Sequence, residues 1–204
     1  DMKPDDTPVT VADHKAEQLI RGRIERRFPD HRIVGEEFGR KEGDPSAPCW
    51  WIDPIDGTKA FVRGVPLYAV LLGLEADGRI VAGAAYFPAL DEMVCAAEGT
   101  GCFWNGRRCR VSEVDRLSRA VVSFTNAANF KAARRETVWR QAVDQAYHTV
   151  GWSDAYGHAL VATGRVELML DPLMNPHDCG PFPVILREAG GYFGDWSGTE
   201  TIHA

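Results

Sequence analysis

The sequence predicts an α+β fold, with a strand-rich half over residues 1–118 and a half in which strands and helices alternate over residues 119–204. Three observations predict it. Asp77-Gly78 and Asn105-Gly106 each lie between apolar runs, and such pairs supply the left-handed backbone that two-residue hairpins need. Beyond about residue 119 the apolar spacing switches between the strand and the helix period, as in layered α/β packing. Finally, in Trp51-Ile52-Asp53-Pro54-Ile55-Asp56-Gly57-Thr58 an apolar strand at 49–52 runs into a sharp turn bearing two carboxylates, then a glycine and a hydroxyl that open a helix.

The elements follow in order. Residues 3–12 are expected to be extended, with Pro4 and Pro8. Asp13 stands at or just before a helix N-cap. Ala16, Leu19, Ile20, Ile24 and Phe28 then fall at helical spacing until Pro29. Ile33-Val34 reads as a short strand leading into Gly35-Glu36-Glu37, and the polar, Gly- and Pro-rich residues 39–48 as a surface loop. Residues 68–75 and 80–87 flank the Asp77-Gly78 turn, 92–97 follow a Pro88-Ala89 turn, and the Asn105-Gly106 hairpin adds two short strands, so this half should be antiparallel. Counting outward from that last turn pairs Trp104 with Arg107, Phe103 with Arg108 and Cys102 with Cys109. In the second half, 120–125 reads as a strand, 134–147 as an amphipathic helix and 156–163 as a helix closed by Gly164. A strand at 166–170, a helix at 181–188 ended by Gly190-Gly191, and a final strand at 192–194 complete it.

Composition narrows the function. At 45% hydrophobic and 25% charged residues, the 204-residue chain reads as one large or two small globular domains. A net charge of −6 argues against a nonspecific nucleic-acid binder. The longest apolar run, 65–74, is too short to span a bilayer, and no signal-peptide pattern precedes the first motif, so a cytoplasmic setting is expected. Residue 1 is Asp, which places the expected natural start further upstream. Five cysteines without C-x-x-C spacing argue against a zinc site or a disulfide framework. In a reducing compartment Cys102 and Cys109 are expected to be unbridged neighbours.

The acids carry the chemistry, although each has a plain structural reading when taken alone. Asp53 and Asp56 suit an Asp-Gly turn capping a helix, but two acids this close repel unless a proton or cation intervenes. Magnesium takes few carboxylates and completes its octahedron with waters or phosphate oxygens. Ile55 could add only its carbonyl. Glu36-Glu37 could be a solvated acidic turn, Asp178 and Asp13 N-caps, and Thr58 a turn hydroxyl.

Together, Pro8-Val9-Thr10-Val11-Ala12-Asp13, Gly35-Glu36-Glu37, Asp53-Pro54-Ile55-Asp56-Gly57-Thr58 and Glu188-Ala189-Gly190-Gly191 resemble the inositol monophosphatase family, in order and through nearly the whole chain. The resemblance implies a layered αβαβα sugar-phosphatase fold, trimmed here at both ends, and a magnesium-dependent phosphomonoesterase. It implies two or three magnesium ions, one held by Glu36, Asp53 and the Ile55 carbonyl and another by Asp53, Asp56 and Asp178. It further implies that Asp13 and Thr58 orient and deprotonate the attacking water, and that Gly57 and Thr58 amides grip the phosphate. Relatives are commonly homodimers, and the expected partner is a small phosphate monoester. The chain departs from the family around Asp178. Trp usually precedes that acid, whereas here His177 does, and a packed substitute for the Trp is expected rather than a ligand.

Substrate choice should lie in the second half. By resemblance, Ser153, Asp154 and Asp171 fall where the alcohol portion binds. An acid at 154 facing an ammonium group would form a charge-assisted hydrogen bond, although Asp154 could instead cap the helix near Tyr156. Thr58-Lys59-Ala60-Phe61, Asp154-Ala155-Tyr156-Gly157 and Ala162-Thr163-Gly164-Arg165 resemble the histidinol-phosphatase branch. The expectation is therefore histidinol-phosphate hydrolysis, with inositol-1-phosphate or broad specificity as the alternative and a silent binding protein as a third.

Overall fold

A capping box opens the first helix, α1 (Val11–Arg27), in the computed structural model, which describes residues 10–152 and 154–203. Thr10 is the N-cap and Asp13 the third residue of the first turn, so Asp13 caps reciprocally instead of standing at the N-cap. Residues 3–9 of the expected extended segment lie outside the described residues, and 11–12 are helical. The face α1 buries differs from the apolar stripe: Asp13, Glu17 and Ile24 are buried and Leu19 is exposed. This helix packs on an acidic strand end and turns polar groups toward it.

Strands β1 (Arg32–Gly35), β2 (Gly39–Lys41), β3 (Cys49–Asp56), β4 (Ala69–Ala76), β5 (Arg79–Phe87), β6 (Glu92–Ala97), β7 (Gly101–Trp104) and β8 (Arg107–Cys109) form one sheet in the order β2-β1-β3-β4-β5-β6-β7-β8. All pairs are antiparallel except β1 with β3, which is parallel. β2 takes the start of the expected loop, because the turn at 36–38 folds it back on β1. The two hairpin turns form as expected: Asp77 and Gly78 have φ of 51° and 72°, and Asn105 and Gly106 have 46° and 75°. The register around Asn105-Gly106 is the one counted outward from the turn. It sets Cys102 and Cys109 opposite each other as free thiols with Sγ atoms 3.4 Å apart.

Helix α2 (Thr58–Phe61) follows β3 directly. Further on come β9 (Val121–Phe124), α3 (Ala127–Ala132), α4 (Glu136–Gln145), β10 (His148–Val150), α5 (Asp154–Ala162), β11 (Leu168–Leu170), α6 (Pro176–Cys179) and α7 (Phe182–Glu188). A parallel three-stranded sheet, β10-β9-β11, packs over α3 and α4 through Val122, Phe130, Trp139 and Leu170. The short α3, β10 and α6 carry too few residues to show a period. Residues 192–194 join neither sheet; the two glycines before them turn the chain away from α7.

The main core lies where α5 and α7 cover the large sheet. Leu71, Ala85, Phe87 and Val94 from the sheet meet Ala159, Phe182, Val184 and Ile185. Two glycines set the spacing. Gly73 and Gly83 are cross-strand partners. A Cβ on Gly73 would lie 2.4 Å from the Gly180 carbonyl oxygen, and one on Gly83 would lie 2.5 Å from that of Pro181. The backbone joining α6 to α7 thus rests directly on the sheet.

Gly73→Ala should therefore push that backbone off the sheet and lower stability by about 1–3 kcal/mol in urea unfolding. An unchanged midpoint would show that the approach is not a constraint.

Candidate metal centre

The ladder between β3 and β4 slips between Asp53 and Asp56, and Pro54 has no N–H to give it. Asp53 and Asp56 thus both lie within β3, Asp56 as its last residue, and not in the middle of a turn. Asp53 is 2% exposed, and its Oδ1 accepts the Ile55 N–H at 3.0 Å. Gly57, with φ of 77°, makes the reversal into α2; a Cβ there would meet the Leu67 carbonyl at 2.9 Å. Gly57, not an acid, is the N-cap of α2. The Thr58 hydroxyl donates to the Ile55 carbonyl at 3.0 Å, leaving that oxygen a second lone pair.

Glu36 follows β1, which runs parallel to β3, and the Glu36 N–H donates to the Ile52 carbonyl at 3.1 Å. A residue absent from the sequence reading holds this segment. The buried Glu17 carboxylate accepts the Glu37 N–H at 2.7 Å and the Phe38 N–H at 3.2 Å, and pairs with Arg21 at 2.7 Å. A Cβ on Gly35 would fall 2.0 Å from Glu17 Oε1, which is why glycine precedes Glu36. Asp13 and Glu17, four residues apart, share a helix face, and that spacing was the available signal.

Asp178 is the third residue of α6, behind the N-cap Asn175, whose N–H it accepts at 2.7 Å. Two groups of ligand atoms converge: Glu36, Asp53 and His177, and Asp53, Asp56 and Asp178, each within 4.8 Å of one another. Asp13 is fully buried, its Oδ2 accepting from Thr10; it does not line the cleft that the other acids form, and its Oδ1 has no partner.

Electrostatics agree with the crowding. Burial, then the neighbouring Asp56, Glu36 and Asp178, raises Asp53 well above the usual carboxylate range. Burial, then Asp154 and Asp178, does the same to Asp56, against a lowering hydrogen bond from the Ala155 N–H. Such a site needs protons or a cation, and its mainly carboxylate donor set suits a hard divalent ion.

The cleft, about 240 Å³, continues from these acids to Asp154, Asp171, Thr125, Asn129 and Lys59. Asp154 opens α5 in a left-handed conformation (φ 54°) and so does not cap it from outside. Thr125 Oγ1 accepts the Asp154 N–H at 3.3 Å and donates to Asp171 Oδ2 at 2.6 Å. Asp171 Oδ1 is buried without a partner, and burial pushes this carboxyl up to about 6. Ser153 lies outside the described residues. Thr125 and Asn129 carried no functional signal in the sequence, and Lys59 carried one only within the Thr58–Phe61 resemblance.

A sequence model described as the inositol monophosphatase family matches residues 1–204. The chain is 43% identical to a histidinol-phosphatase of Chlorobaculum parvum, over 98% of this chain and 77% of that protein. It is 36% identical to a fructose-1,6-bisphosphatase/inositol-1-monophosphatase of Thermotoga maritima, over 94% and 73%. Among solved structures, extragenic suppressor protein suhB of Bartonella henselae superposes with a TM-score of 0.90 at 32% identity, covering 98% of this chain and 78% of that one.

The carboxyl shifts have a stability consequence. Asp171 moves from 3.8 to about 6, and Asp53 and Asp56 move the same way. A raised carboxyl keeps a proton in the folded state that the unfolded chain has lost, so cation-free stability falls as pH rises from about 4 through 6. Cation-free protein should melt roughly 5 °C or more lower at about pH 7.5 than at about pH 5, and magnesium should restore the loss mainly at the higher pH. A cation-free melting temperature that is flat or rising between those values would contradict the crowding.

Proposed function

This chain belongs to the inositol monophosphatase family, and from that premise we propose that it is a magnesium-dependent phosphatase acting on histidinol phosphate, releasing histidinol and inorganic phosphate. Its place among phosphomonoesterases follows from the family and from the names of its relatives. The observation that carries the substrate is the pair Asp154 and Asp171 lining the same cleft as the acids, with Thr125 linking the Asp154 backbone N–H to the Asp171 carboxylate. A neutral polyol would bring hydroxyl donors but no positive charge to these two acids, whereas a cationic group would form charge-assisted hydrogen bonds. An amino alcohol bearing an imidazole offers both a charged or polar donor.

In this reading Glu36, Asp53 and the Ile55 carbonyl hold one magnesium ion, and Asp53, Asp56 and Asp178 another. Magnesium there would acidify a water and offset charge on the leaving oxygen. The residues do the rest. Gly57 and Thr58 open α2, whose first amides have no intrahelical acceptor and can face a phosphate oxygen. Thr58 is fixed by its bond to the Ile55 carbonyl, with Asp13 assigned as the base partner. The Ala155 N–H holds Asp56 at 2.8 Å and ties the start of the substrate helix to the acidic cluster. A cytoplasmic homodimer completes the reading on family resemblance; no helix among the described residues is long and apolar enough to cross a membrane.

The second reading is a broad-specificity or inositol-1-phosphate phosphatase, favoured by the name of the Thermotoga relative. A silent binding protein is disfavoured by the complete set of acids. A magnesium-dependent phosphate-release panel decides between them. The kcat/KM for histidinol phosphate should exceed that for inositol-1-phosphate, and the reverse order would favour the second reading. Absence of release from any monoester with metal bound would sink the enzyme.

Two substitutions test the roles. Asp56→Asn should lower kcat more than about 100-fold by removing a ligand charge; near-normal turnover would refute the assignment. Asp154→Ala should cost roughly 10–100-fold in kcat/KM on histidinol phosphate and much less on inositol-1-phosphate. Equal losses would show that Asp154 does not read the amine.

A further inference from the structure

His177 turns its ring toward acids rather than toward an aromatic ring. Among the described residues its ring stacks on no aromatic ring, whereas His14, His31, His158 and His203 each lie against one. Its side chain is 18% exposed, and Nε2 lies 3.3 Å from Asp178 Oδ1. A ring nitrogen, a Glu36 oxygen and an Asp53 oxygen fall within 4.8 Å of one another, close enough for one ion to touch all three. The position follows from the fold. Pro176 and His177 form the first turn of α6, and the Gly180 that ends the helix sits on Gly73 of β4 and against Trp51 of β3, which keeps the turn on the sheet.

We infer that His177 is a nitrogen ligand to the cation held by Glu36 and Asp53, and that it tilts this centre toward manganese- or zinc-like ions relative to magnesium. The chemistry is that of the donor set. Carboxylate oxygens suit magnesium and manganese alike, whereas a neutral imidazole adds affinity along the transition series and little for magnesium. Every side chain in the cluster facing the ring is an acid: Glu36, Asp53 and Asp178. The inference rests on the metal-centre reading above and adds a ligand to it.

Pulsed electron paramagnetic resonance of the full chain with one equivalent of Mn²⁺ tests it. The spectrum should show ¹⁴N modulation from a directly bound imidazole, replaced by ¹⁵N modulation when the protein is grown on ¹⁵N-histidine. His177→Phe should abolish the modulation, weaken Mn²⁺ binding in calorimetry at least about tenfold, and change Mg²⁺ binding far less. If the phenylalanine variant does not fold, His177→Gln takes its place and should also lose the nitrogen signal. Bound Mn²⁺ without nitrogen modulation, or modulation unchanged in the variant, would overturn the inference while leaving the metal centre intact. No Mn²⁺ binding would overturn both.

Discussion

The acidic cluster depends on one stretch of backbone resting on another. Gly73 and Gly83 leave a bare patch on β4 and β5, and the chain at Gly180 and Pro181 fills it. Any side chain at either glycine would lift α6 from the sheet and take Asp178 and His177 away from Asp53. The contact is fastened from behind by α7, whose Phe182, Val184 and Ile185 are fully buried. Core packing thus sets the distance between groups that would otherwise separate, because like charges in a partly dry site repel.

Two buried acids show how environment divides structure from chemistry. Glu17 has Arg21 and two backbone N–H groups on its carboxylate, so its charge is satisfied and it simply braces the Glu36 segment. Asp53 has one N–H and three acidic neighbours. The first arrangement is complete as it stands. The second is complete only with protons or a cation, and this imbalance makes the end of β3 a binding site.

Much of the fold was legible from local rules. Asp77-Gly78 and Asn105-Gly106 specify their turns, and the second also specifies the Cys102–Cys109 register by counting. The convergence of the acids was legible in part, because Asp53 and Asp56 crowd into four residues, and Glu36 and Asp178 were expected beside them through family resemblance. What was not legible depends on contacts distant in sequence. Asp13 and Asp178 each looked like an N-cap until a preceding Thr10 or Asn175 took that place. Glu17 matters only because β1 ends beside α1, and Thr125 only because β9 carries it to Asp154 and Asp171. The β2 strand needs β1 as a partner to exist at all, and three residues show no period of their own.

A chain of hydrogen bonds joins the acidic end of β3 to Asp171. Asp56 accepts from Ala155, whose neighbour Asp154 is held by Thr125, which in turn holds Asp171. Asp154 keeps a left-handed backbone that most residues avoid, and aspartate tolerates it better than branched side chains do. The start of α5 therefore has little freedom to shift: a change that relaxes Asp154 also moves the amide that fixes the Asp56 carboxylate. On the proposed roles, substrate preference and cation binding would be coupled through these few bonds rather than built on separate loops. An acid at 154 can serve the substrate only if its backbone continues to serve Asp56.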